Sequence, residues 1–233
     1  MNNLELLKVY NFDNKIRLGA RFDGGYIYGG LDNEVYDCYI SAGVFNEESF
    51  TRAFISDNNM NEFNSYAFDG TIDRYPYEYT NKIAFIKKNI GGINDENTTN
   101  LFPLFERYNN IFIKMDIEGG EYPWLQSMNE NKLKKIKQIV IEFHGLTDDG
   151  FGCKYEDKIK CLEKLANTHY IIHAHGNNCG DVVNGFPDVL ELTYVNKDYF
   201  AEEPPRNRVK LPIPNFDFPN DSTKDEIDLY FSY

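Results

Sequence analysis

Asp116, Glu118 and Glu121 follow directly on an apolar run, Ile111 to Met115, and a second apolar run ending at Phe143 carries Glu142 and then His144. Apolar runs of this length read as buried strands, and in an open α/β sheet ligands collect just beyond the carboxyl ends of the strands. Carboxylates and an imidazole placed there face a cleft. Asp116, Glu142 and His144 together offer two hard oxygen donors and one nitrogen, a set that suits magnesium or manganese better than structural zinc. The same groups are bases for removing a proton from a hydroxyl. Glu142 and His144 stand two apart on a strand and so share a face. The structural alternative has Asp116 accepting backbone amides at a helix start and Glu142 in a salt bridge. Glu118 and Glu121 follow the Asp116 turn and either is a candidate to steer substrate, but Glu121, in a first helical turn, is well explained by the helix dipole. His173 and His175 also alternate onto one face, with Asn177 and Asn178 in the polar loop beyond. Histidines in a sheet are commonly structural, but His175 lies nearer the carboxyl edge and is a candidate base or substrate contact.

The elements that must position these groups alternate between strand and helix, which predicts a largely parallel sheet. A short helix is expected over 2–8 and an extended segment over 25–30. Strands are expected over 35–41, 64–68, 82–90, 111–115 and 136–143. Helices are expected over 46–56 (with Asn46 as N-cap), 99–108, 121–128 and 155–165. The last strands, 170–174 and 189–195, are joined by a Gly- and Asn-rich loop and read as an antiparallel hairpin at one sheet edge. From Ala201 the chain is rich in Pro and charge, yet it ends on Leu229, Tyr230 and Phe231. A segment so aromatic is expected to dock on the body.

Composition narrows the class. A chain of 233 residues with 42% hydrophobic content fits one α/β domain with a full core. The net charge of −13 argues against a nucleic-acid partner, since duplex binding relies on Lys and Arg neutralising phosphates. Arg206, Arg208 and Lys210 cluster after Pro204 and Pro205, a solvated loop or a contact for one phosphate. No apolar stretch approaches the length needed to cross a bilayer. Met1 to Lys8 lacks the basic region and apolar core of a signal peptide. Cys38, Cys153, Cys161 and Cys179 are scattered, and read as reduced thiols of a cytoplasmic protein.

The segment Lys114 to Tyr122 (KMDIEGGEY), followed after one helix by Ile141 to His144 (IEFH), resembles the FkbM-type S-adenosylmethionine-dependent methyltransferases. Three further blocks match in order: Arg21 to Tyr26 (RFDGGY); Ile40 to Val44, continuing to Ser49 and Phe50; and His173 to Asn178 ahead of Pro187 to Leu192. The resemblance runs from about residue 17 to 232. Departures lie in the first motif, which keeps only Gly43 of its glycines, in Thr51 where an acid is common, and in Gly70 where proline is common. The resemblance implies a Rossmann-like methyltransferase domain, α/β, with a mostly parallel seven-stranded sheet, an antiparallel edge hairpin and helices on both faces. On this reading residues 1–33 form an N-terminal cap, 34–196 the core and 197–233 a packed tail.

It also implies S-adenosylmethionine as cofactor, with Gly25, Tyr26, Ser41, Ala42, Gly43, Ser49, Asp69, Gly70, Ile90 and Asp116 around it. A carboxylate ending the second strand accepts two hydrogen bonds from a ribose diol, the role expected of Asp69, although Asp-Gly is also a turn signal. Asp116, His144 and His175 are the expected catalytic residues, with Asp116, Glu142 and His144 holding any magnesium or manganese. The acceptor implied is a hydroxyl of a sugar, nucleotide-sugar or glycan precursor. A nicotinamide oxidoreductase would share the sheet but should show Gly-x-Gly-x-x-Gly after the first strand, which Ser41 to Asn46 does not supply. A non-catalytic cofactor-binding subunit of a glycan-assembly complex is the other alternative.

Overall fold

The central strands are buried along their whole length, and alternate residues feed two separate cores. Cys38, Ile40, Ala42, Ile111, Ile113, Met115, Ile139 and Ile141 pack on one face, and Tyr39, Phe112 and Val140 on the other. This period of two is what a sheet covered on both sides requires. The second core is largely aromatic. Phe54 lies 4.1 Å from Phe112 and 4.9 Å from Tyr39, centroid to centroid, and Tyr26, Tyr28, Tyr36 and Phe50 close around them.

The computed structural model describes residues 3–78 and 81–231. A 3-10 turn at Asn3–Leu7 leads to an antiparallel pair, β1 (Lys15–Leu18) and β2 (Tyr26–Gly29). Then come β3 (Cys38–Ala42), α1 (Ser49–Asp57), β4 (Ser65–Phe68), β5 (Ala84–Ile86), the short pair β6 (Asn89–Ile90) and β7 (Thr98–Thr99), and α2 (Phe102–Arg107). They are followed by β8 (Ile111–Met115), α3 (Glu121–Ser127), α4 (Glu130–Leu133), β9 (Ile136–Phe143), α5 (Tyr155–Thr168) and β10 (His169–Gly176). A small hairpin, β11 (Val182–Val183) and β12 (Phe186–Pro187), precedes β13 (Leu190–Asn196). The main sheet has seven strands in the order β10-β13-β9-β8-β3-β4-β5. β13 runs antiparallel to both its neighbours, and the other pairings are parallel. The fold is therefore the mostly parallel α/β sheet with an antiparallel edge hairpin expected above. From β3 the chain steps to β4 and β5 on one side, then crosses to β8 on the other. That reversal opens a crevice beyond the carboxyl ends of β3 and β8.

The differences from expectation are local. The expected strand 82–90 breaks after Ile86: Lys88 N–H turns back to Ile86 O, and Asn89 and Ile90 pair with Thr98 and Thr99 instead of extending the sheet. The helix expected from residue 99 starts at Phe102, because Thr99 is in that pairing and Leu101 is left-handed. The helix expected from Asn46 starts at Ser49 and has no side-chain N-cap. Phe45 has a left-handed backbone, and its N–H and that of Val44 are tied to Asp69, which prolongs the turn past Asn46. The first core strand begins at Cys38, not Val35, and α5 runs on to Thr168. The N-terminal element is a 3-10 turn, with residue 2 of the expected helix outside the described residues. β1 had no counterpart among the expected elements. The tail docks: Leu211 and Leu229 are fully buried in the first core. Among the described residues no helix is long and apolar enough to cross a membrane.

Candidate active site

A cleft of about 620 Å³ occupies the crevice, within the size range of small-molecule sites. Its walls come from the turn after β3 (Gly43 to Glu47), the end of β4 and the turn beyond it (Phe68, Asp69 and Thr71) and the turn after β8 (Asp116, Ile117, Glu118 and Gly120), together with Asn89 and Ile90 of β6 and Asp23, Gly24 and Tyr26.

Gly43 makes the turn after β3. Its φ is +82°, and a Cβ there would overlap the carbonyl oxygen of Asp116. Glycine is required because two turns meet backbone to backbone, and this contact fixes Asp116 relative to β3. Asp69 holds the same turn from the other side. Its Oδ2 accepts the N–H groups of Val44 (3.1 Å) and Phe45 (2.8 Å), and its Oδ1 accepts the Thr71 N–H and hydroxyl. Burial opposes its ionisation, but these donors outweigh burial and hold the carboxyl below the usual carboxylate range.

The cleft is acidic. Asp23, Glu47, Asp69, Asp116 and Glu118 line it against one cation, Lys114, among the described lining residues. Lys114 is buried within β8, donates to Gly43 O at 2.8 Å and lies 4.0 Å from Asp116 Oδ2. Glu47 Oε1 accepts the Ser49 N–H at 2.6 Å, so a carboxylate already occupies the start of α1. A pyrophosphate, which needs free N–H groups at that helix start, would meet negative charge instead.

Beyond Asp116 the edge of the sheet gathers the second group of side chains. Ligand atoms of Asp116, Glu142 and His144 lie within 4.8 Å of one another. His144 Nε2 is 3.4 Å from Glu142 Oε1, 3.4 Å from Glu118 Oε2 and 3.9 Å from Asp116 Oδ1. Its Nδ1 is 2.9 Å from Glu121 Oε1. Asn177 Nδ2 donates to Glu142 Oε1 at 2.8 Å, and Tyr26 donates its hydroxyl to Asp116 Oδ2 at 3.4 Å. Burial, with the charges of Asp116 and Glu191 beside it, pushes the Glu142 carboxyl well above its ordinary range. Burial likewise raises Glu121. For His144 burial works the other way, but the bond to Glu121 and the carboxylates around it prevail and its pKa is raised. The carboxylates around the His144 ring favour positive charge there.

Of the residues expected around a cofactor, Tyr26, Gly43, Asp69, Ile90 and Asp116 line the cleft. Gly25, Ser41, Ala42, Ser49 and Gly70 stand behind its walls. Ser41 donates to the buried Glu48 at 2.6 Å, and Ser49 Oγ accepts the Ala20 N–H at 2.6 Å. A side chain at Gly25 would overlap Ala20 O, and one at Gly70 the Asn89 side chain. His175 is not brought to the cluster. It is buried with Nδ1 3.0 Å from Glu191 and Nε2 3.0 Å from Glu226, and these carboxylates overcome burial to raise its pKa to about 10. With both nitrogens taken and the ring charged at neutral pH, it has no lone pair for a substrate proton. Sequence reasoning missed Lys114, hidden in an apolar strand, and assigned Glu121 to the helix dipole, whereas Glu121 is fully buried against His144. The one readable signal was Glu121's place at the start of a helix whose next residues, Tyr122, Trp124 and Leu125, are all core.

A doubly wound, mostly parallel sheet with an acidic cleft at its switch point is the architecture of a single α/β methyltransferase domain. A family model, the methyltransferase FkbM domain, matches residues 30–183, and the chain belongs to that family of S-adenosylmethionine-dependent methyltransferases. No curated protein and no solved structure gives a significant match.

Proposed function

We propose that the chain methylates a hydroxyl of a sugar, nucleotide-sugar or glycan precursor, with a divalent magnesium or manganese ion held by Asp116, Glu142 and His144. The observation that carries the reading is the junction of two sites at one residue. Asp116 lines the acidic cleft and also belongs to the Glu142–His144 cluster. The sugar preference follows from the family resemblance.

The cleft fits the cofactor in charge and shape. S-adenosylmethionine, when bound, supplies an electrophilic methyl on a sulfonium centre, a cation that five lining carboxylates favour. Phe68 and Ile90 give apolar walls for the adenine. Asp69 shapes the ribose end, where the Thr71 hydroxyl on Oδ1 is the partner a diol replaces. Asp23 and Tyr26 close the methionine end. The residues' own work is alignment and proton removal. Asp116, fixed by Gly43 and by Tyr26, orients the acceptor hydroxyl; with no ion bound, His144 Nε2 or Glu142 is the group that takes the proton, and with an ion bound these two serve as its donors instead. A divalent ion at these three donors would lower the hydroxyl pKa. His144 fits the ligand role because Nδ1 faces Glu121, leaving Nε2 toward the cluster, where positive charge is favoured.

Calorimetric titration of S-adenosylhomocysteine, with manganese and again with EDTA, tests the cofactor site. Micromolar binding is expected, followed by labelled methyl transfer to at least one of a panel of nucleotide sugars. No heat and no shift in melting temperature in either buffer would overturn the methyltransferase reading.

A further inference from the structure

Two consecutive residues of α3 grip His144. Tyr122 donates its hydroxyl to the His144 backbone carbonyl at 2.6 Å, and Glu121 meets the ring at Nδ1. Phe151 packs against the ring with centroids 5.5 Å apart. Its place is left open by Gly119 and Gly145, where any side chain would overlap Phe151. Glu121 is fully buried, and its second oxygen, Oε2, has no hydrogen-bond partner among the described residues. A buried carboxylate half-satisfied in this way costs stability unless something else is gained. What it gains is a fixed imidazole. When ionised, Glu121 only accepts, so in a neutral ring the proton sits on Nδ1, 2.9 Å from Glu121 Oε1, and the lone pair on Nε2. Nε2 points at Asp116, Glu118 and Glu142, all within 3.9 Å.

We propose that Glu121 is a positioning residue that sets the tautomer and direction of His144, so that Nε2 is presented to the cluster as a donor for a divalent cation. The proposal rests on the reading of Asp116, Glu142 and His144 as a cation site. Carboxylates that orient a metal-bound histidine contribute about 10- to 100-fold to metal affinity. A glutamine at 121 keeps the shape but offers an amide that donates as well as accepts, and so releases the tautomer.

The test compares the full-length chain with Glu121→Gln by manganese titration, read by electron paramagnetic resonance in the presence of S-adenosylhomocysteine. Nitrogen-15 spectra of the His144 ring, recorded without metal and at a pH high enough for the ring to be neutral, give the tautomer independently. The expected result is manganese binding weakened about 10- to 100-fold, S-adenosylhomocysteine affinity and melting temperature little changed, and a ring that is Nδ1–H in the parent and mixed in the variant. Equal manganese affinity in the two proteins, or an Nε2–H ring in the parent, would overturn the proposal. If the parent binds S-adenosylhomocysteine but no manganese, the cation role falls while the methyltransferase reading stands. If it binds manganese but no S-adenosylhomocysteine, the reverse holds. A Glu121→Gln protein that failed to fold would be replaced by Glu121→Asp, which keeps acceptor character. It should retain the Nδ1–H ring, and loss of that tautomer there would also count against the proposal.

Discussion

A methyl group at position 43 would overlap the Asp116 carbonyl and force an L-residue into a left-handed turn. Gly43→Ala is therefore expected to cost about 2–3 kcal/mol, from overpacking and backbone strain together. The displaced Asp116 should also weaken manganese binding, so urea unfolding and a manganese titration check the two halves of this prediction. Asp69 and His144 separate in a different way. Asp69→Ala removes four hydrogen bonds that hold the turns after β3 and β4. S-adenosylhomocysteine affinity should fall about tenfold or more, since hydrogen bonds to a charged group are worth about 1.5–3 kcal/mol. His144→Ala leaves the cleft lining intact, so cofactor affinity should stay within about twofold while methyl transfer is lost. An equal loss of affinity in both variants would put His144 in the cofactor site.

At the scale of elements, the hairpin β10–β13 carries a charge cluster of its own. His173 Nε2 is 2.8 Å from Asp217, and His175 is held between Glu191 of β13 and Glu226 of the tail. His175 is raised from 6.5 to about 10, so the folded state binds its proton more tightly than the unfolded chain. That contribution is fully present below about pH 6.5 and is lost as pH rises through 10. The melting temperature should fall between pH 7 and 10, and His175→Gln should flatten that fall. A parallel slope in the variant would refute it. The cluster also marks the boundary of what the sequence reveals. Asp116, Glu142 and His144 were legible because each sits at a strand end, and strand ends follow from apolar runs. The positions of β3, β8 and β9 follow in the same way. Whether His175 belonged with them was not legible, because that depends on Glu191 and Glu226, which are distant in sequence and brought close only by the hairpin and the tail. The break after Ile86 and the late start of α1 were hidden for a similar reason: side-chain and backbone bonds made across the fold, such as Asp69 to Phe45, override local helix and strand preference.

For the molecule as a whole, the tail decides how much of the chain must fold together. Among the described residues, 201–231 have almost no regular structure, yet they are tied down at several points. Asn178 Nδ2 donates to the carbonyls of Asp221, Lys224 and Asp225, and Asn220 Nδ2 donates to Glu191 at 2.8 Å and to Asp23 of the cleft at 3.3 Å. Leu229 N–H bonds to Leu211 O at 3.0 Å, and both leucines are fully buried against the first core. Truncating a fully buried leucine costs about 2–5 kcal/mol, depending on how far the site collapses. Small domains are stable by about 5–15 kcal/mol, so this is a large share. Leu229→Ala should therefore lower the urea midpoint of a single cooperative transition reported alike by Trp124 fluorescence and by far-ultraviolet dichroism. Trp124 is fully buried in the same core, so its signal reports the body and not the tail. If the tail instead detached on its own, Leu229→Ala would leave the Trp124 transition unmoved and only tail proteolysis would increase. The hydrogen bond from Asn220 to Asp23 extends the prediction to the site. A loosened tail should weaken S-adenosylhomocysteine binding at the Asp23 end of the cleft even where the fold survives.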